Sequence, residues 1–426
     1  MSGPAPADGP VGPRRRELVR TGLRSTAPRL ALAQVFAGVS AYGFLVLSGR
    51  ALGPEKFASV SVLWSSLFLL GSGLFQPFEQ EMSRRVSHQR ELGQGTRSVV
   101  VGAARVSTAL VAVVLVLMVA AGPWAVPTLF HDEVLTYVGL LVGVAGIAAS
   151  HFLRGIAAGQ GRFGAYGAWF VAEGLTNLVP TVVLVLLAVR VAGLYGLVAG
   201  MAGVVAAATT GLGLERDREP GPAFAPKEYT AKVGQLAVAS VLLALLISGG
   251  PIAVKLLAGP GDEAATSHFL AGLTVVRIPL YFFQTVQAVV LPRLTRQAAR
   301  HDYPGFRHGL RGLLLALAAL GVAATVGAAL VGPFVVRLMF GPSFDELGGL
   351  DLGLLAAGGC ILMGAMLVGQ ALIALQNQSR VWVGWAVGVA AAVATAAAPL
   401  SLFLRVELSL LAGSAASLLT MCGRGR

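Results

Sequence analysis

Charge is what this sequence has least of: Asp, Glu, Lys and Arg together make up 12% of its 426 residues. Soluble globular domains carry about 25%, so a water-facing surface cannot be built over a chain of this length. Lysine is confined to Lys56, Lys227, Lys232 and Lys255. Cysteine is limited to Cys360 and Cys422, both in apolar segments. Two are too few for a metal cluster, and nothing in their placement argues for a structural disulfide. There is no H-E-x-x-H pair, no G-K-[ST] phosphate loop and no nucleophile elbow, so neither ATP use nor enzymatic turnover is expected. Gly159-Gln160-Gly161-Arg162-Phe163-Gly164 spells the dinucleotide pattern, but it comes after an apolar run and lacks the βαβ context that gives the pattern meaning.

What is there is hydrocarbon. Apolar residues reach 55%, the mean hydropathy is positive, and runs of the ~20 residues needed to cross a bilayer recur from end to end. The runs predict twelve helices over 30–50, 57–78, 98–122, 134–158, 165–189, 191–213, 234–258, 266–291, 310–334, 350–375, 380–404 and 407–423. The stretch from Val182 to Val204 is nearly unbroken, and its division is placed at Arg190–Gly193. In hydrocarbon each helix must satisfy its own backbone hydrogen bonds, so the fold class is all-α membrane protein. Ahead of the first span, residues 1–29 are rich in Pro and Gly and then in Arg. They read as a cytoplasmic basic tail before an uncleaved first helix.

The net charge is +12. A nucleic-acid binder would gather such charge on a soluble face; here it lies in short loops, so the expected partner is the lipid bilayer and no nucleic acid. Loop cations fall almost entirely in the segment before the first helix and in every second loop thereafter. The remaining loops and flanks hold only Arg50, Lys56, Arg190, Arg337 and Arg405. This bias predicts an even number of spans with both termini cytoplasmic. The opposite loops are short and acidic, as in His131-Asp132-Glu133, Gly261-Asp262-Glu263 and Asp345-Glu346.

The chain also repeats itself at half its length. Leu52-Gly53-Pro54-Glu55 after the first helix is echoed by Ala258-Gly259-Pro260-Gly261 after the seventh. Gln76-Pro77 leading into Ser83-Arg84-Arg85 is echoed by Leu291-Pro292 leading into Arg293. Leu129-Phe130-His131-Asp132 is echoed by Met339-Phe340-Gly341-Pro342. Six helices per half place the halves in the same orientation, related by an axis along the membrane normal. Parallel repeats of this kind put a substrate path at their interface. The expected organisation is therefore an N-terminal lobe over 30–214, a cytoplasmic linker over 215–233 and a C-terminal lobe over 234–426.

Leu52-Gly53-Pro54-Glu55, the stretch from Arg154-Gly155 to Phe163, Ala271–Phe283, Val290–Leu294 and Arg337–Pro342 carry a resemblance across roughly residues 20 to 405. The chain resembles the MOP (MATE-like) exporter superfamily, and within it the polysaccharide-biosynthesis branch of Wzx-type flippases. The resemblance implies two six-helix bundles in a V, with a central cavity lined by the first, second, seventh and eighth helices. It implies turnover of a polyprenyl-pyrophosphate-linked glycan from the inner to the outer leaflet of a bacterial plasma membrane, beside the glycosyltransferases or polymerase of a polysaccharide cluster. Three other functions stay open: an ion-coupled multidrug exporter of the MATE branch, a lipid II flippase, and a non-transporting scaffold.

Ionisable groups deep in hydrocarbon are functional by default. Arg277, mid-way along the eighth helix with Pro279 beside it, is expected to be the cavity cation that meets a pyrophosphate or a glycan carboxylate. Lys255, near the outer end of the seventh helix, is a second candidate, although snorkelling also explains it. Arg24 and Arg50, with Arg29, Arg84 and Arg85, fit the cavity mouths; topology and lipid headgroups account for each equally well. Gln76 and Gln284 fit sugar hydroxyls, or else glue between helices. Tyr42, Trp64 and Phe68 fall on helices expected to line the cavity. Glu173, with Asn177 one turn on, is the one carboxylate expected deep in a span, either as a coupling site for H+ or Na+ or as a structural hydrogen-bond pair. Arg154 is expected to anchor headgroups. No cofactor is expected; the driving force would come from an ion gradient or from substrate consumption outside.

Overall fold

The structure is a computed structural model of the full chain. It describes residues 28–215, 217, 219–259, 261–278, 302–375 and 377–423, together with the backbone of 13–27. Hydropathy sets the order of elements: among the described residues the apolar runs form the helices, which continue through Pro123, Pro127, Pro180 and Pro333.

A helical stretch Pro13–Leu70 is interrupted only at Gly53 (φ 74°, ψ 170°). This left-handed backbone suits glycine because it has no Cβ, and Pro54 next to it cannot donate to the preceding turn. The kink separates α1 (13–52) from α2 (54–91). α2 passes through a π turn at Gly71–Phe75 and ends as the regular segment Gln76–Glu91. Then come α3 (Arg97–Phe130), α4 (Val134–Gly159), α5 (Phe163–Leu186) and α6 (Ala192–Leu212). α7 is in two pieces, α7a (Pro226–Ser248) and α7b (Gly250–Leu257). α8 is described over Ala265–Val276, and α9 (Tyr303–Phe340), α10 (Gly349–Ala374), α11 (Gln378–Ala396) and α12 (Leu402–Cys422) complete the chain.

Among the described residues ten helices are long and apolar enough to span a membrane. One of them, Pro28–Glu91, is the kinked pair α1 and α2; the described part of α8 is a shorter apolar helix. The chain is a multi-pass all-helical membrane protein; the end at which Arg90 and Gln160 bond Glu215 is called here the terminal end. The opposite end is the distal end.

Several expected boundaries move: α3 runs on to Phe130 rather than 122, α9 spans Tyr303–Phe340 rather than 310–334, α11 stops at Ala396 rather than 404, and α12 begins at Leu402 rather than 407. α2 extends past residue 78 to Glu91, because Glu81, Arg84 and Arg85 neutralise one another along one helical face and carry the helix out of hydrocarbon. α7a begins at Pro226 rather than 234, with Pro in its first turn, where the missing N–H costs nothing. The expected break between α5 and α6 is found at residues 187–191.

Within each half, close packing rests on small residues. α4 lies on α6 through Gly139, Gly143 and Gly146 facing Gly196, Gly200 and Gly203. A Cβ on Gly139 would come within 2.5 Å of the Gly196 backbone. In the second half α11 packs on α12 through Gly388 and Gly413, and α10, the counterpart of α4, meets α12 at Gly358 beside Leu410. In lipid such backbone approach, rather than a hydrophobic drive, holds helices together. The halves meet along α1, α2, α7 and α8.

Candidate functional site between the lobes

The four helices at the junction wall a cavity lined by Ala41, Tyr42 and Leu45 of α1, Trp64, Ser65 and Phe68 of α2, Ser248 of α7a, and Leu270, Thr274 and Arg277 of α8. Its aromatic wall is ordered by packing: Trp64 stacks on Phe44 at 5.0 Å and meets Phe68 at 5.5 Å. The Tyr42 hydroxyl donates to the Thr274 carbonyl at 3.1 Å, tying the lobes at this depth.

Arg277 caps the end of the regular part of α8 (φ −84°, ψ −7°). The cause is written in the local sequence: Pro279, two positions on, has no N–H to offer a helical ladder, and the residue before a proline is steered away from helix. Arg277 is half-buried and also lines a second cavity inside the C-terminal half, about 30 Å³ like the first, with Ile247, Leu355, Gly359 and Leu410 among its walls. The cation expected from the sequence thus stands at the junction of the two spaces, beside Tyr42, Trp64 and Phe68. Gln76 is exposed just beyond the π turn of α2. Gln284 and the side chain of Arg24 lie outside the described residues.

Towards the distal end the lobes are bonded shut. Arg50 donates from Nε to the Met339 carbonyl at 2.7 Å and from Nη2 to the Leu338 carbonyl. These belong to the last turn of α9, whose carbonyls lack helical donors and attract a cation. The Ser267 hydroxyl donates to the Pro54 carbonyl at 2.5 Å. Lys255 meets His131 Nε2 at 2.5 Å across the lobes. Burial, and after it the Lys255 charge, holds the His131 ring below the usual histidine pKa, so neutral imidazole accepts from the ammonium. A vestibule of about 440 Å³ opens here, lined by Glu55, Lys56, Ser59, His131, Glu133 and Glu263. Arg50 and Lys255 therefore lie at the closed distal end, apart from Arg277.

A polar cluster that sequence reasoning misses lies inside the N-terminal half. Glu79 of α2 accepts from Arg154 Nε at 3.0 Å and from Arg154 Nη2, meets His151 Nδ1 at 2.9 Å, and accepts from the Tyr166 hydroxyl at 2.6 Å. The Arg154 guanidinium lies 4.1 Å from the Trp169 ring centroid. Arg154 is buried, 8% exposed, so it ties α2, α4 and α5 together and does not reach headgroups. One signal does exist in the sequence: Glu81 and Arg85 stand at helical i,i+4 spacing, which argues for helix beyond residue 78. Glu173 is half-buried one turn along α5 from Trp169, and Asn177 is buried with its side-chain oxygen unpartnered among the described residues. Nor is Glu173 the only deep carboxylate: Glu79 is mostly buried and Glu407 wholly so.

No family model matches the chain. It is 27% identical over 401 residues to the uncharacterized protein Rv1510 of Mycobacterium tuberculosis, covering 92% of this chain and 89% of that one. The uncharacterized protein Mb3654 of Mycobacterium bovis is 25% identical over 396 residues, covering 90% and 88%. Among solved structures, the inward-facing conformation of a multidrug resistance MATE family transporter of the MOP superfamily superposes with a TM-score of 0.70. It is 14% identical, and the match covers 93% of this chain and 96% of that one. A MOP superfamily transporter from Pyrococcus furiosus, described as having a binding pocket of reverse polarity that suggests a different function, superposes at 0.61 with 14% identity over 93% and 94%. The chain has the V-shaped, two-lobed fold of the MATE transporters.

Proposed function

We propose that the protein is an exporter that moves a lipid-linked oligosaccharide, a polyprenyl-pyrophosphate glycan, from the inner to the outer leaflet by alternating access. The observation that supports this reading is Arg277, a single guanidinium set among the aromatic side chains of a cavity between two lobes. A planar cation suits a pyrophosphate or a carboxylate, and aromatic faces suit sugar rings or a polyprenyl chain. In this reading the bonded distal end is the closed outer side, the terminal end is cytoplasmic, and the membrane is a bacterial plasma membrane. Substrate enters beside Arg277; breaking the Arg50, Ser267 and Lys255 contacts opens the outer side for release. Glycosyltransferases or a polymerase of a polysaccharide cluster would be the functional neighbours.

Replacing Arg277 by Ala tests the reading. The expected result is loss of surface polysaccharide with normal protein level in the membrane; undiminished polymer from that variant would remove Arg277 from the mechanism.

A second reading, an ion-coupled exporter of small cationic molecules, is favoured by the buried carboxylates Glu79 and Glu407 and the half-buried Glu173. Drug resistance on overexpression, abolished by Glu173→Gln, would select it over the glycan reading.

A further inference from the structure

Glu407 stands near the start of α12 with no exposed surface, and neither carboxylate oxygen has a hydrogen-bond donor among the described residues. An ionised carboxylate in that condition is unstable by several kcal/mol, and a buried acid without a donor resolves this by keeping its proton.

The surroundings point the same way. α12 packs on α11, α10 and the two pieces of α7. Of the ionisable groups on those helices, Asp351 of α10 is the one that faces Glu407. Asp351 accepts from the Gly348 backbone N–H at 2.7 Å at the helix start and is only half-buried. Of two carboxyls that face each other, the one supplied with donors keeps the charge and the other takes the proton. The nearby cations are committed elsewhere. Arg405 donates to the Ala396 carbonyl from both Nε (3.0 Å) and Nη2 (2.9 Å). Lys255 of α7b is bound to His131, and Arg380 of α11 lies at the terminal end beside Gly423. His268 of α8 is turned to Glu346 at 3.5 Å. Lys227 and Lys232 lie in the first turns of α7a, also at the terminal end.

The backbone near Glu407 is broken as well. α7 divides between Ser248 and Gly250, and Pro251 has no N–H for the Ile247 carbonyl. Ile247 and Leu410, the latter three residues beyond Glu407, line the small cavity that Arg277 also lines. About 30 Å³ is room for one or two waters. Discontinuous helices at this depth are where transporters hold coupling ions.

We propose that Glu407 is a proton-binding site of the C-terminal lobe, reached from the distal face past Asp351 and connected inward through the Ile247–Leu410 cavity to Arg277. On binding, a hydronium ion at the distal face gives up its proton, an O–H bond forms on the Glu407 carboxylate, and water is left. On release the bond breaks and the proton returns to water. Any role in driving transport rests on the exporter reading; the proton site itself does not.

The test is an infrared titration of the purified full-length protein in lipid bilayers, without substrate. The expected result is a carbonyl stretch of a protonated carboxylic acid that shifts in D2O, fades at alkaline pH and is missing from Glu407→Gln. An unchanged acid band in Glu407→Gln overturns the proposal. So does a band that fades on adding sodium at constant pH, since the ligand would then be Na+. Should Glu407→Gln fail to fold, carbodiimide labelling of the wild type decides. Modification at Glu407 that declines as pH rises supports the site, and no modification of Glu407 at any pH overturns it. A present band with normal polysaccharide in Arg277→Ala would keep this site and remove the glycan reading; an absent band with lost polysaccharide would do the reverse.

Discussion

The two lobes share a plan but treat buried carboxylates in opposite ways. In the N-terminal half, Glu79 is surrounded by Arg154, His151 and Tyr166, each within bonding distance. In the C-terminal half, Glu407 has no donor among the described residues. Both lobes are closely packed through glycine pairs, α4 on α6 in one and α11 on α12 in the other. Packing geometry therefore does not decide the difference; hydrogen-bond supply does. A carboxylate fully provided with donors is glue for three helices, whereas one without donors is free to exchange a proton. Both halves use glycine for close backbone approach, on different helix pairs, and they differ in the electrostatics built around it.

The severest challenge to this contrast is Arg154→Ala, which puts Glu79 in the condition of Glu407. Removing one partner of a buried ion pair costs about 3–5 kcal/mol, so thermal unfolding in detergent should show a large drop in Tm, while Arg154→Lys recovers part of it. A smaller effect is expected from Arg50→Ala, which removes two charge-assisted bonds to the end of α9. Arg50 is exposed, so about 1 kcal/mol is expected, less than the ~1.5–3 kcal/mol of buried charged hydrogen bonds. Its readout is a population shift towards separation of the distal ends, measured between spin labels on α1 and α9.

Acidification should act on the same closed end. His131 has its pKa held below the usual value, so its neutral form, and with it the Lys255 contact, persists above that lowered pKa. As pH falls below the ordinary histidine range of about 6.5 and through the lowered value, the ring gains a proton and faces the ammonium as a second cation. Glu263, Asp132, Glu133 and Glu55 soften this repulsion without accepting the Lys255 proton. The distal ends should therefore separate at low pH, and His131→Gln should remove the pH response. The smallest effect is expected from Glu407→Gln, whose amide N–H can still donate to the Asp351 carboxylate that faces it. Its unfolding midpoint should stay within about 1 kcal/mol of the wild type; a fall comparable to that of Arg154→Ala would mean Glu407 is paired and the contrast between lobes is false.

How legible each feature is in the sequence depends on its range. The α5–α6 break can be read directly, because hydropathy acts residue by residue along the chain. The kink at Gly53 reads as a loop: a single left-handed residue and a five-residue turn leave the same Gly-Pro trace. Arg154 reads as a headgroup anchor because its partner Glu79, 75 positions away, itself falls beyond the expected end of a helix. Glu407 reads as the first residue of the last span, where water would reach it, and only the packing of α12 against α10 and α7 removes that water.

Residue order alone is enough to mark this chain as a multi-pass membrane protein and to divide it into two similar halves. Those properties arise from the cost of exposing polar backbone or charge to hydrocarbon, which each segment meets alone. Which charges are paired, which end is bonded shut and which carboxylate is left without a donor emerge only when the helices pack. Each of these depends on groups brought together from distant helices, and charge energies change by several kcal/mol with one hydrogen bond gained or lost.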